Sequence, residues 1–400
     1  MARKPGASPK TRILIAIDSF WDGGAEMFAI RLANSLADEM SVYFMALRPR
    51  LTRGNKQEGL LDRNGVSVID ATGSLFGDFI FKSLLRLSRY CRSEKLEKYT
   101  MDWRLRFVCR KYNIQIVHSH CWESDKAFAG VKMQSSFRLV SSFHGHYELL
   151  RESREHDDDQ NKRQLENVDA VVYLTERHVE TLDRYGVPDC KRRKIFYGVP
   201  FQLEKSSTKY QSNEQLRLVM AGRGIPEKGW AETLEAVVDI NRELGDEITI
   251  DLLGVGEELD KLREKYQERE FVHFLGYCDD ILPIVKQAHI GLLPSYYTAE
   301  SLPNTIIEYL VCGKPVIATD IGAIREMLTH DGEVAGAILP PHDGKVLSVQ
   351  IKSALVEYLS NKSKVEHDSS IALRAAQKFQ MKICTANHLC LYDSLLPPNK

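Results

Sequence analysis

The sequence predicts an α/β protein of two doubly wound domains, and three observations support this prediction. Short runs of Val, Ile and Leu alternate along the chain with longer segments whose apolar residues recur at helical spacing. This is the pattern of parallel strands joined by crossover helices. A polar segment rich in Ser, Lys and Gln, residues 201–215, interrupts the alternation near the middle. The length of 400 residues gives each half enough chain to bury its own core.

Apolar runs predict the strands of both halves, and the segments between them predict the helices. In the first half the predicted strands are 13–17, 42–47, 66–69, 114–117, 138–142 and 168–174, with helices at 25–38 and 176–185. In the second half the strands are 216–221, 248–253, 272–274, 290–293, 316–318 and 337–339, with helices at 229–244, 257–268 and 279–288 and a helical segment over 344–395. These elements predict domains at 1–203 and 204–375, followed by a last helix within 376–400.

Composition narrows the class of protein. The charged fraction of 27% is ordinary for a soluble globular chain. Eight cysteines are scattered without a CxxC pair, which favours buried free thiols in a reducing compartment over a disulfide framework or a zinc site. No apolar run is long enough to span a bilayer, and the basic N-terminus lacks a signal-peptide core. We therefore expect a cytoplasmic protein.

One stretch, residues 291–320, combines several features of a ligand site. It reads as a strand, a polar loop, a helix and a second strand. Glu300 lies in the loop and Glu308 in the helix. The helix begins near 303–305, where unpaired backbone N–H groups and the helix dipole favour a phosphate. Carboxylates on either side accept hydrogen bonds from hydroxyl groups, so the residues themselves suggest a nucleotide-sugar.

This stretch resembles the donor site of the retaining glycosyltransferases of family four. Their signature is Glu, seven residues, Glu, followed by a Gly-x-Pro-Val-Ile-Ala-Thr run, and Glu300, Glu308 and residues 313–320 match it in order. The resemblance covers nearly the whole chain and is strongest over 216–340. It implies the GT-B fold, with two Rossmann-like domains facing each other across a cleft and a last helix that crosses back to the N-terminal domain. The N-terminal domain would hold the acceptor and the C-terminal domain the donor.

The resemblance also implies an activity and its partners. It predicts retaining, metal-independent transfer of a hexose from a UDP- or GDP-linked donor to an acceptor hydroxyl, without a separate cofactor. The expected acceptor is lipid-linked or an oligosaccharide, in the assembly of surface polysaccharide or glycolipid. No nucleic-acid partner is expected. The protein would be cytoplasmic or at the inner face of the membrane.

Site roles follow from the same resemblance. Glu300 would bind hydroxyls of the donor sugar and Glu308 the ribose. Four residues at the start of the helix would bind the diphosphate through backbone N–H groups, and these are Ser301, Leu302, Asn304 and Thr305. Tyr277 would contact the base.

Two cations follow the first strand of the second half. Arg223 and Lys228 flank a turn that contains Gly and Pro. Such a pair can hold a diphosphate and neutralise it as it leaves, although a solvated basic turn is the ordinary alternative. Their spacing matches the donor-phosphate motif of the family, which assigns both residues to the leaving diphosphate.

The first half offers a glycine turn and a histidine. Gly23 and Gly24 open the first helix and either approach a ligand closely or form an ordinary strand–helix turn. His144 follows a strand and could be a general base, a hydrogen-bond donor or a capping residue. The resemblance places both glycines at the diphosphate or acceptor and His144 beside the reacting sugar. His118 and His120 are expected to brace the loops.

Residues 81–113 contain ten Lys and Arg but three Asp and Glu, and the first half as a whole is basic while the second is acidic. Phe81, Leu84, Leu85 and Leu87 form an apolar group among these cations. The segment could be a membrane-surface patch or a helical pair packed on the sheet with its basic side chains outward, and both interpretations remain open.

Two other functions are compatible with the sequence. A sugar-nucleotide epimerase of similar fold would act on the donor alone. A membrane-associated assembly subunit without catalytic activity would have a decayed site. The presence of charged residues at 223, 228, 300 and 308 argues against such decay. A dehydrogenase is disfavoured because no third glycine follows Gly254 and Gly256 at the dinucleotide-binding spacing.

Overall fold

A computed structural model of the chain describes residues 10–20, 24–48, 59–62, 65–144, 158–201, 209–211, 214–245, 247–298 and 300–397. The chain divides into two compact units. The first unit comprises Met1–Pro200 together with Met381–Lys400, and the second comprises Phe201–Gln380. The second unit therefore begins at the polar segment that predicts the linker, and the end of the chain returns to the first unit.

The first unit contains a parallel sheet with the strand order β3-β2-β1-β4-β5-β6-β7. Its strands are Arg12–Ile17 (β1), Ser41–Ala46 (β2), Val66–Val68 (β3), Ile116–His120 (β4), Arg138–Ser142 (β5), Ala170–Tyr173 (β6) and Arg192–Lys194 (β7). The helices that connect them are Gly24–Leu36 (α1), Leu75–Tyr90 (α2), Glu94–Lys111 (α3), Trp122–Lys132 (α4), Asp158–Glu166 (α5) and Glu176–Arg184 (α6).

The second unit contains another parallel sheet, in the order β10-β9-β8-β11-β12-β15, and a two-stranded antiparallel ribbon. The strands are Leu216–Ala221 (β8), Ile248–Leu253 (β9), Val272–Gly276 (β10), Ile290–Leu293 (β11), Val316–Thr319 (β12), Thr329–His330 (β13), Glu333–Val334 (β14) and Gly336–Leu339 (β15). The helices are Trp230–Leu244 (α7), Glu257–Tyr266 (α8), Leu282–Gln287 (α9), Asn304–Val311 (α10), Ile324–Leu328 (α11), Gly344–Ser360 (α12) and Ser363–Ala376 (α13), and the last helix of the chain is Met381–Leu395 (α14).

The prediction of two doubly wound α/β domains is confirmed. The central strands are buried along their length, as β11 and β12 show. This explains their continuous Val, Ile and Leu runs, because strands covered on both faces have no solvent side to alternate with. The roles of acceptor and donor domain stay predictions.

Strand β4 extends further than its apolar run suggests. The sequence favours a strand over 114–117 followed by a loop, whereas His118 and His120 belong to the strand and are fully buried. The Nε2 atom of His118 lies 2.8 Å from the Ser142 hydroxyl, so the strand keeps this polar side chain hydrogen-bonded inside the core. Both histidines therefore lie in the strand and not in a loop, and the expectation that they brace the neighbouring loops stays a prediction.

Helix α14 packs within the first unit, against α1. The hydroxyl oxygens of Ser35 and Thr385 lie 2.7 Å apart. The Met381 N–H donates to the Val199 carbonyl at 3.1 Å. Next to it, a Cβ added to Gly198 would come within 2.8 Å of the Met381 Cα, so a larger residue at 198 would force the two segments apart. The close approach thus depends on a residue without a side chain.

A buried guanidinium joins α3 to the edge of the first sheet. Arg104 is fully buried and donates hydrogen bonds to four backbone carbonyls, among them those of Ala71 at 2.7 Å and Leu47 at 2.9 Å. Its Cζ lies 5.0 Å from the centre of the Phe81 ring. Burial lowers the pKa of Arg104 to about 10, which leaves it charged at neutral pH. The carbonyls therefore stabilise a cation inside the fold.

Residues 81–113 form a helical pair, in which Ser74 caps α2 and Ser93 caps α3. The predicted apolar surface group is wrong in part, because Phe81 is buried beneath Arg104. Leu87 of the predicted group is exposed, and the other large apolar side chains that α2 exposes are Leu75, Phe76, Phe79 and Tyr90.

Among the described residues, no helix combines the length and the apolar character that crossing a membrane requires.

Candidate active site

The second unit brings two predicted motifs together at one edge of its sheet. Strand β11 pairs with β8 on one side and with β12 on the other. Strands β9 and β10 are added on one side of β8, whereas β12 and β15 are added on the far side of β11. The direction in which strands are added therefore reverses between β8 and β11. Loops after the two strands diverge at such a switch point and leave a crevice for ligands. Arg223 and Lys228 follow β8, and Glu300 follows β11.

A buried ion pair joins these two loops. The Lys228 Nζ donates a short hydrogen bond to the Glu300 Oε2. The two side chains retain 8% and 10% of their exposure. The loops are also joined through backbone groups, because the Tyr296 N–H donates to the Glu227 carbonyl at 2.8 Å. Each partner compensates the charge of the other in the interior, so removing one side chain would leave an uncompensated buried charge.

Tyr297 lies against both cations of the site. The centre of its ring is 5.0 Å from the Arg223 Cζ and 5.5 Å from the Lys228 Nζ. Arg223 is exposed, and its backbone carbonyl accepts a hydrogen bond from the Trp230 indole at 2.9 Å, which fixes the turn. The Tyr297 ring therefore stabilises two positive charges at the place where the sequence predicts a diphosphate.

Helix α10 begins beside this pair. Pro303 precedes its first turn, and no described side chain caps it, so its first N–H groups point out of the helix end. Asn304 and Thr305 are half-buried, while Ser301 and Leu302 are buried. The structure thus places all four predicted diphosphate residues at this end. A second turn of the helix carries Glu308, which is half-buried.

Glycines let the backbone approach this loop closely. Gly322 has a positive φ of 56°, and a Cβ at this position would lie 2.2 Å from the Glu300 carbonyl oxygen. Gly224 and Gly256 pack backbone against backbone, since a Cβ on Gly224 would come within 2.8 Å of the Gly256 Cα. Any side chain here would displace the loops that carry the site. Tyr277, after β10, is exposed.

The first unit holds the other predicted site residues. Gly24 is the first residue of α1, and Gly23 lies outside the described residues. His144 follows β5 and is buried. Both of its ring nitrogens have partners in the protein, because Nδ1 forms a short hydrogen bond with the Tyr197 hydroxyl and Nε2 lies 3.3 Å from the Nδ1 of His120. His144 therefore belongs to a buried hydrogen-bonded chain.

Four histidines and two tyrosines form one cluster around His144. His118 lies between the Tyr392 hydroxyl, 2.7 Å from its Nδ1, and the Ser142 hydroxyl. The ring centres of His118 and His120 are 4.2 Å apart. His388, on α14, has its ring centre 5.5 Å from that of His118. The cluster consists of His118, His120, His144, His388, Tyr197 and Tyr392, and is called the histidine cluster below.

Burial keeps these imidazoles neutral. It lowers the pKa of His144 to about 3 and that of His388 to about 4, and it lowers the pKa of His118 and His120 well below the usual range. For His118 and His120, the neighbouring imidazoles of the cluster lower the pKa further, because a second positive charge there would be repelled. At neutral pH the cluster therefore offers neutral rings, and His144 is a poor proton acceptor.

The histidine cluster predicts an acid-sensitive fold. The folded-state pKa of His144 and His388 lies below the ordinary value of 6.5, so the unfolded chain binds protons more tightly. Their contribution is complete above pH 6.5 and is lost as the pH falls toward about 4. At pH 5 each should destabilise the folded state by about 2 kcal/mol relative to pH 7. Urea unfolding at pH 7, 6 and 5, followed by circular dichroism, measures this slope.

In the pH experiment, His144→Gln is expected to have a shallower slope than the wild type. His342→Gln is the matched control, because His342 is exposed in the second unit and its replacement should leave the slope unchanged. Equal slopes in all three proteins would contradict the assignment of the acid sensitivity to the cluster.

Sequence reasoning missed three residues of these sites. Tyr297 had a recognisable signal, since an aromatic residue in a polar loop three positions before a candidate carboxylate is a plausible ligand contact. Tyr197 and His388 had none, because they meet His144 and His118, respectively, only through folding of segments that are distant in sequence.

Two family models match the chain. The model described as Glycosyltransferase Family 4 matches residues 22–202, and the model described as Glycosyl transferases group 1 matches residues 203–367. The first covers the glycine turn and the histidine cluster up to α14. The second covers the switch-point loops and α10.

Curated relatives match mainly over part of their length. The phosphatidyl-myo-inositol mannosyltransferase of Mycobacterium leprae is 26% identical over 172 residues, which are 42% of this chain and 44% of the relative. The gpi3 subunit of the phosphatidylinositol N-acetylglucosaminyltransferase of Schizosaccharomyces pombe is 30% identical over 151 residues, 34% of this chain and 31% of the relative. The chain thus spans less than half the length of these relatives.

Solved structures match the whole fold. Anabaena HepE in complex with UDP superposes with a TM-score of 0.69 at 17% identity, covering 96% of this chain and 100% of that chain. The sucrose-phosphate synthase of Thermosynechococcus elongatus gives a TM-score of 0.71 at 19% identity over 96% of this chain and 99% of that chain. At these identities the likeness concerns the fold.

Proposed function

Because the chain belongs to the GT-B glycosyltransferases, we propose that it is a retaining, metal-independent hexosyltransferase that moves a sugar from a nucleotide-sugar to an acceptor hydroxyl. The observation that carries this proposal is the buried Lys228–Glu300 pair at the switch point. A cation and a carboxylate lie next to the open end of α10, which supports a diphosphate bound by the cation and sugar hydroxyls bound by the carboxylate.

Each charged group has a distinct part in the proposed reaction. Arg223 and Lys228 neutralise the charge that develops on the leaving diphosphate, which is the largest electrostatic requirement of the step. The N–H groups at the start of α10 hold the same oxygens. Glu300 orients the sugar and Glu308 the ribose. Arg223, Lys228 and the N–H groups of α10 would surround the phosphates with positive charge. In the proposed reaction these groups supply the charge that a metal would otherwise supply.

A UDP-linked donor is the first choice, and a GDP-linked donor is the second. Solved structures with the same fold include complexes of HepE with UDP and with UDP-glucose. Mannosyltransferases occur among the curated relatives, including the O-antigen chain mannosyltransferase B of Escherichia coli. The acceptor we propose is lipid-linked or an oligosaccharide, as expected for polysaccharide or glycolipid assembly.

Donor binding tests the ribose assignment. We expect Glu308→Ala to weaken binding of the preferred nucleotide-sugar by about 2 kcal/mol, a roughly 30-fold increase in Kd, because a charge-assisted hydrogen bond to a ribose hydroxyl is lost. Thermal shifts with UDP-glucose and GDP-mannose first identify the better ligand, since a bound ligand raises the melting temperature by mass action. Isothermal titration calorimetry then gives the Kd of both proteins.

Glu357→Ala is the matched control for this measurement. Glu357 lies on α12 of the same unit and is largely exposed beside Lys364 at 3.6 Å, so its loss should leave the Kd unchanged. An unchanged Kd for Glu308→Ala would overturn the ribose assignment. Absence of binding by any nucleotide-sugar would overturn the transferase and would instead favour an assembly subunit without catalytic activity.

Product analysis separates the transferase from an epimerase. With donor alone, a transferase is limited to slow hydrolysis, whereas an epimerase converts the sugar without any acceptor. Anion-exchange chromatography of the nucleotide-sugar after incubation distinguishes the two, because an epimer retains the nucleotide while hydrolysis releases free nucleoside diphosphate. Conversion of the intact donor to a second nucleotide-sugar would contradict the proposed transfer.

We also propose that α2 contacts an anionic membrane surface at which a lipid-linked acceptor would be found. Phe76, Phe79 and Leu87 expose 77%, 70% and 48% of their surface on one helix. Lys82 and Arg86 are exposed beside them. Apolar side chains that lie next to cations are suited to insertion between anionic headgroups, where burial and charge attraction add.

Vesicle binding tests the contact. The double variant Phe76→Ser, Phe79→Ser is expected to lose at least about ten-fold in affinity for vesicles with 30% anionic lipid, because burial of two aromatic rings contributes roughly 3 kcal/mol or more. Co-sedimentation measures the bound fraction. Met133→Ser is the control, since Met133 is equally exposed at the end of α4 but has no place in the α2 surface. Equal binding of all three proteins would exclude α2 as the contact.

A further inference from the structure

One imidazole of the histidine cluster has a defined tautomer. The Nδ1 of His388 lies 2.8 Å from the backbone carbonyl oxygen of Cys384. A carbonyl can only accept a hydrogen bond, so Nδ1 carries the proton. The ring is neutral at pH 7, and its Nε2 therefore has a lone pair. This Nε2 is buried and has no hydrogen-bond partner among the described residues.

A second ring nitrogen of the cluster also lacks a hydrogen-bond partner among the described residues. In the chain Tyr197–His144–His120, the Nε2 of His120 is buried without a partner in the described part of the protein. The chain can run in two directions. If Tyr197 donates to His144, then His144 donates to His120 and the Nε2 of His120 carries a proton.

The opposite direction leaves more groups unsatisfied. If His120 donates to His144 and His144 donates to Tyr197, the Nε2 of His120 has an unused lone pair, and the Tyr197 hydroxyl hydrogen has no acceptor among the described residues. Each unsatisfied buried group carries a desolvation cost that no hydrogen bond offsets. The first direction leaves a single N–H unsatisfied, and we therefore expect Tyr197 to be the donor.

The two remaining nitrogens are complementary. His120 has an N–H without an acceptor, and His388 has a lone pair without a donor. Both rings pack against the same two neighbours. The ring centre of His118 lies 4.2 Å from that of His120 and 5.5 Å from that of His388. The ring centre of Phe28 lies 5.7 Å from that of His120 and 6.0 Å from that of His388. A single water can accept from the first nitrogen and donate to the second, as internal waters do between buried polar groups.

We propose that a buried water bridges the Nε2 atoms of His120 and His388, and that Tyr197, His120 and His388 are thereby positioning residues that hold His144 as its Nε2–H tautomer. The bridge completes one hydrogen-bonded chain from Tyr197 to the Cys384 carbonyl on α14. It couples the last helix of the chain to the candidate catalytic histidine.

In this arrangement His144 has a different part from that of a general base. In the proposed transfer reaction, on which this consequence rests, His144 presents a fixed neutral ring to the sugar and does not accept the proton of the acceptor hydroxyl. Both of its nitrogens are used inside the protein. The arrangement of the chain itself does not depend on the reaction, so it can be tested without a substrate.

Nuclear magnetic resonance of the full-length protein with ¹⁵N-labelled histidine measures the tautomers directly, through two-bond couplings from the ring carbon-bound hydrogens. We expect His144 as Nε2–H and His388 as Nδ1–H. His178 is an internal reference outside the chain, since its Nδ1 accepts from the Leu174 N–H at 3.2 Å and its Nε2 is therefore protonated. A wild-type His144 found as Nδ1–H would overturn the proposal.

Tyr197→Phe tests the direction of the chain. It removes the donor to the Nδ1 of His144 and should convert at least half of His144 to the other tautomer, while His178 keeps its own. His388→Phe, which fills similar space, removes the acceptor for the water and should also shift His144. An unchanged His144 in Tyr197→Phe would show that its tautomer is set elsewhere and would overturn the proposal.

A crystal structure of the wild-type protein at better than about 1.5 Å resolution is a second measurement that needs no variant to fold. It should show a water within hydrogen-bonding distance of both Nε2 atoms. A dry contact between the rings would overturn the bridge. If the tautomers and the water are found but no nucleotide-sugar binds, the proposed function fails and the hydrogen-bonded chain stands. If the donor binds but the predicted tautomers are not found, the hydrogen-bonded chain fails and the proposed function stands.

Discussion

Lys228→Met is expected to lower the rate of sugar transfer strongly and to destabilise the second unit. The substitution keeps the length of the side chain but leaves the Glu300 carboxylate buried without its partner. Breaking a buried ion pair in this way costs about 3–5 kcal/mol. Loss of a cation aimed at the leaving diphosphate should lower kcat by roughly 100-fold or more. Urea unfolding and initial rates with the preferred donor measure the two effects.

A double variant separates stability from catalysis. Lys228→Met combined with Glu300→Gln removes both charges, so most of the lost stability should return while the activity stays low. The control is Lys352→Met, because Lys352 pairs with Glu243 at 2.7 Å on the exposed surface of the same unit and should affect neither quantity by much. Activity that recovers in the double variant together with stability would show that the pair is structural.

Arg104→Met should destabilise the first unit by about 4 kcal/mol. Four backbone carbonyls lose a charged donor in the interior, and the apolar replacement offers them no hydrogen bond. Because α3 then loses its attachment to the ends of β2 and β3, we expect the amide protons of these elements to exchange faster. Hydrogen exchange followed by mass spectrometry reports this locally, and urea unfolding gives the total.

Arg106→Met is the matched comparison on the same helix. Arg106 is half-buried, and its ion-pair partner is Asp102 at a distance of 4.0 Å, so its loss should change the free energy of unfolding by less than about 1 kcal/mol. If both arginine variants had the same stability, the carbonyl contacts of Arg104 would contribute little and the prediction would be wrong.

Much of the second unit could be predicted from the sequence. Strands β8, β9 and β11 coincide with their predicted ranges. Strand β11 is buried along its length and its run has no charged residue, whereas β8 and β9 keep a recognisable apolar pattern around Arg217 and Asp251. Arg223 and Lys228 follow one predicted strand, and Glu300 follows another. The sequence therefore predicts that all three lie beyond the carboxyl ends of strands. A parallel sheet brings the carboxyl ends of its strands to one edge, which predicts the same edge for all three residues. That β8 and β11 are neighbours is known only from the structure.

The first unit was less predictable. His118 and His120 read as loop residues because a polar side chain in a buried strand breaks the apolar pattern. The fold accommodates them by pairing His118 with Tyr392 and Ser142. Similarly, Phe81 reads as exposed among cations, although Arg104 stacks on it from the following helix. In both cases the partner is distant in sequence and leaves no local signal.

The sequence by itself determined the fold class, because the periodicity of the apolar residues separates strands from helices. The candidate donor site stays a prediction that rests on residue types at fixed spacing and on the resemblance. The tertiary structure alone decided which polar groups meet in the interior. Hydrogen bonds require contact within about 3 Å, and such contacts between Lys228 and Glu300, or between His144 and Tyr197, exist only once distant segments have packed. The protonation states and tautomers of the candidate active site therefore belong to the folded protein.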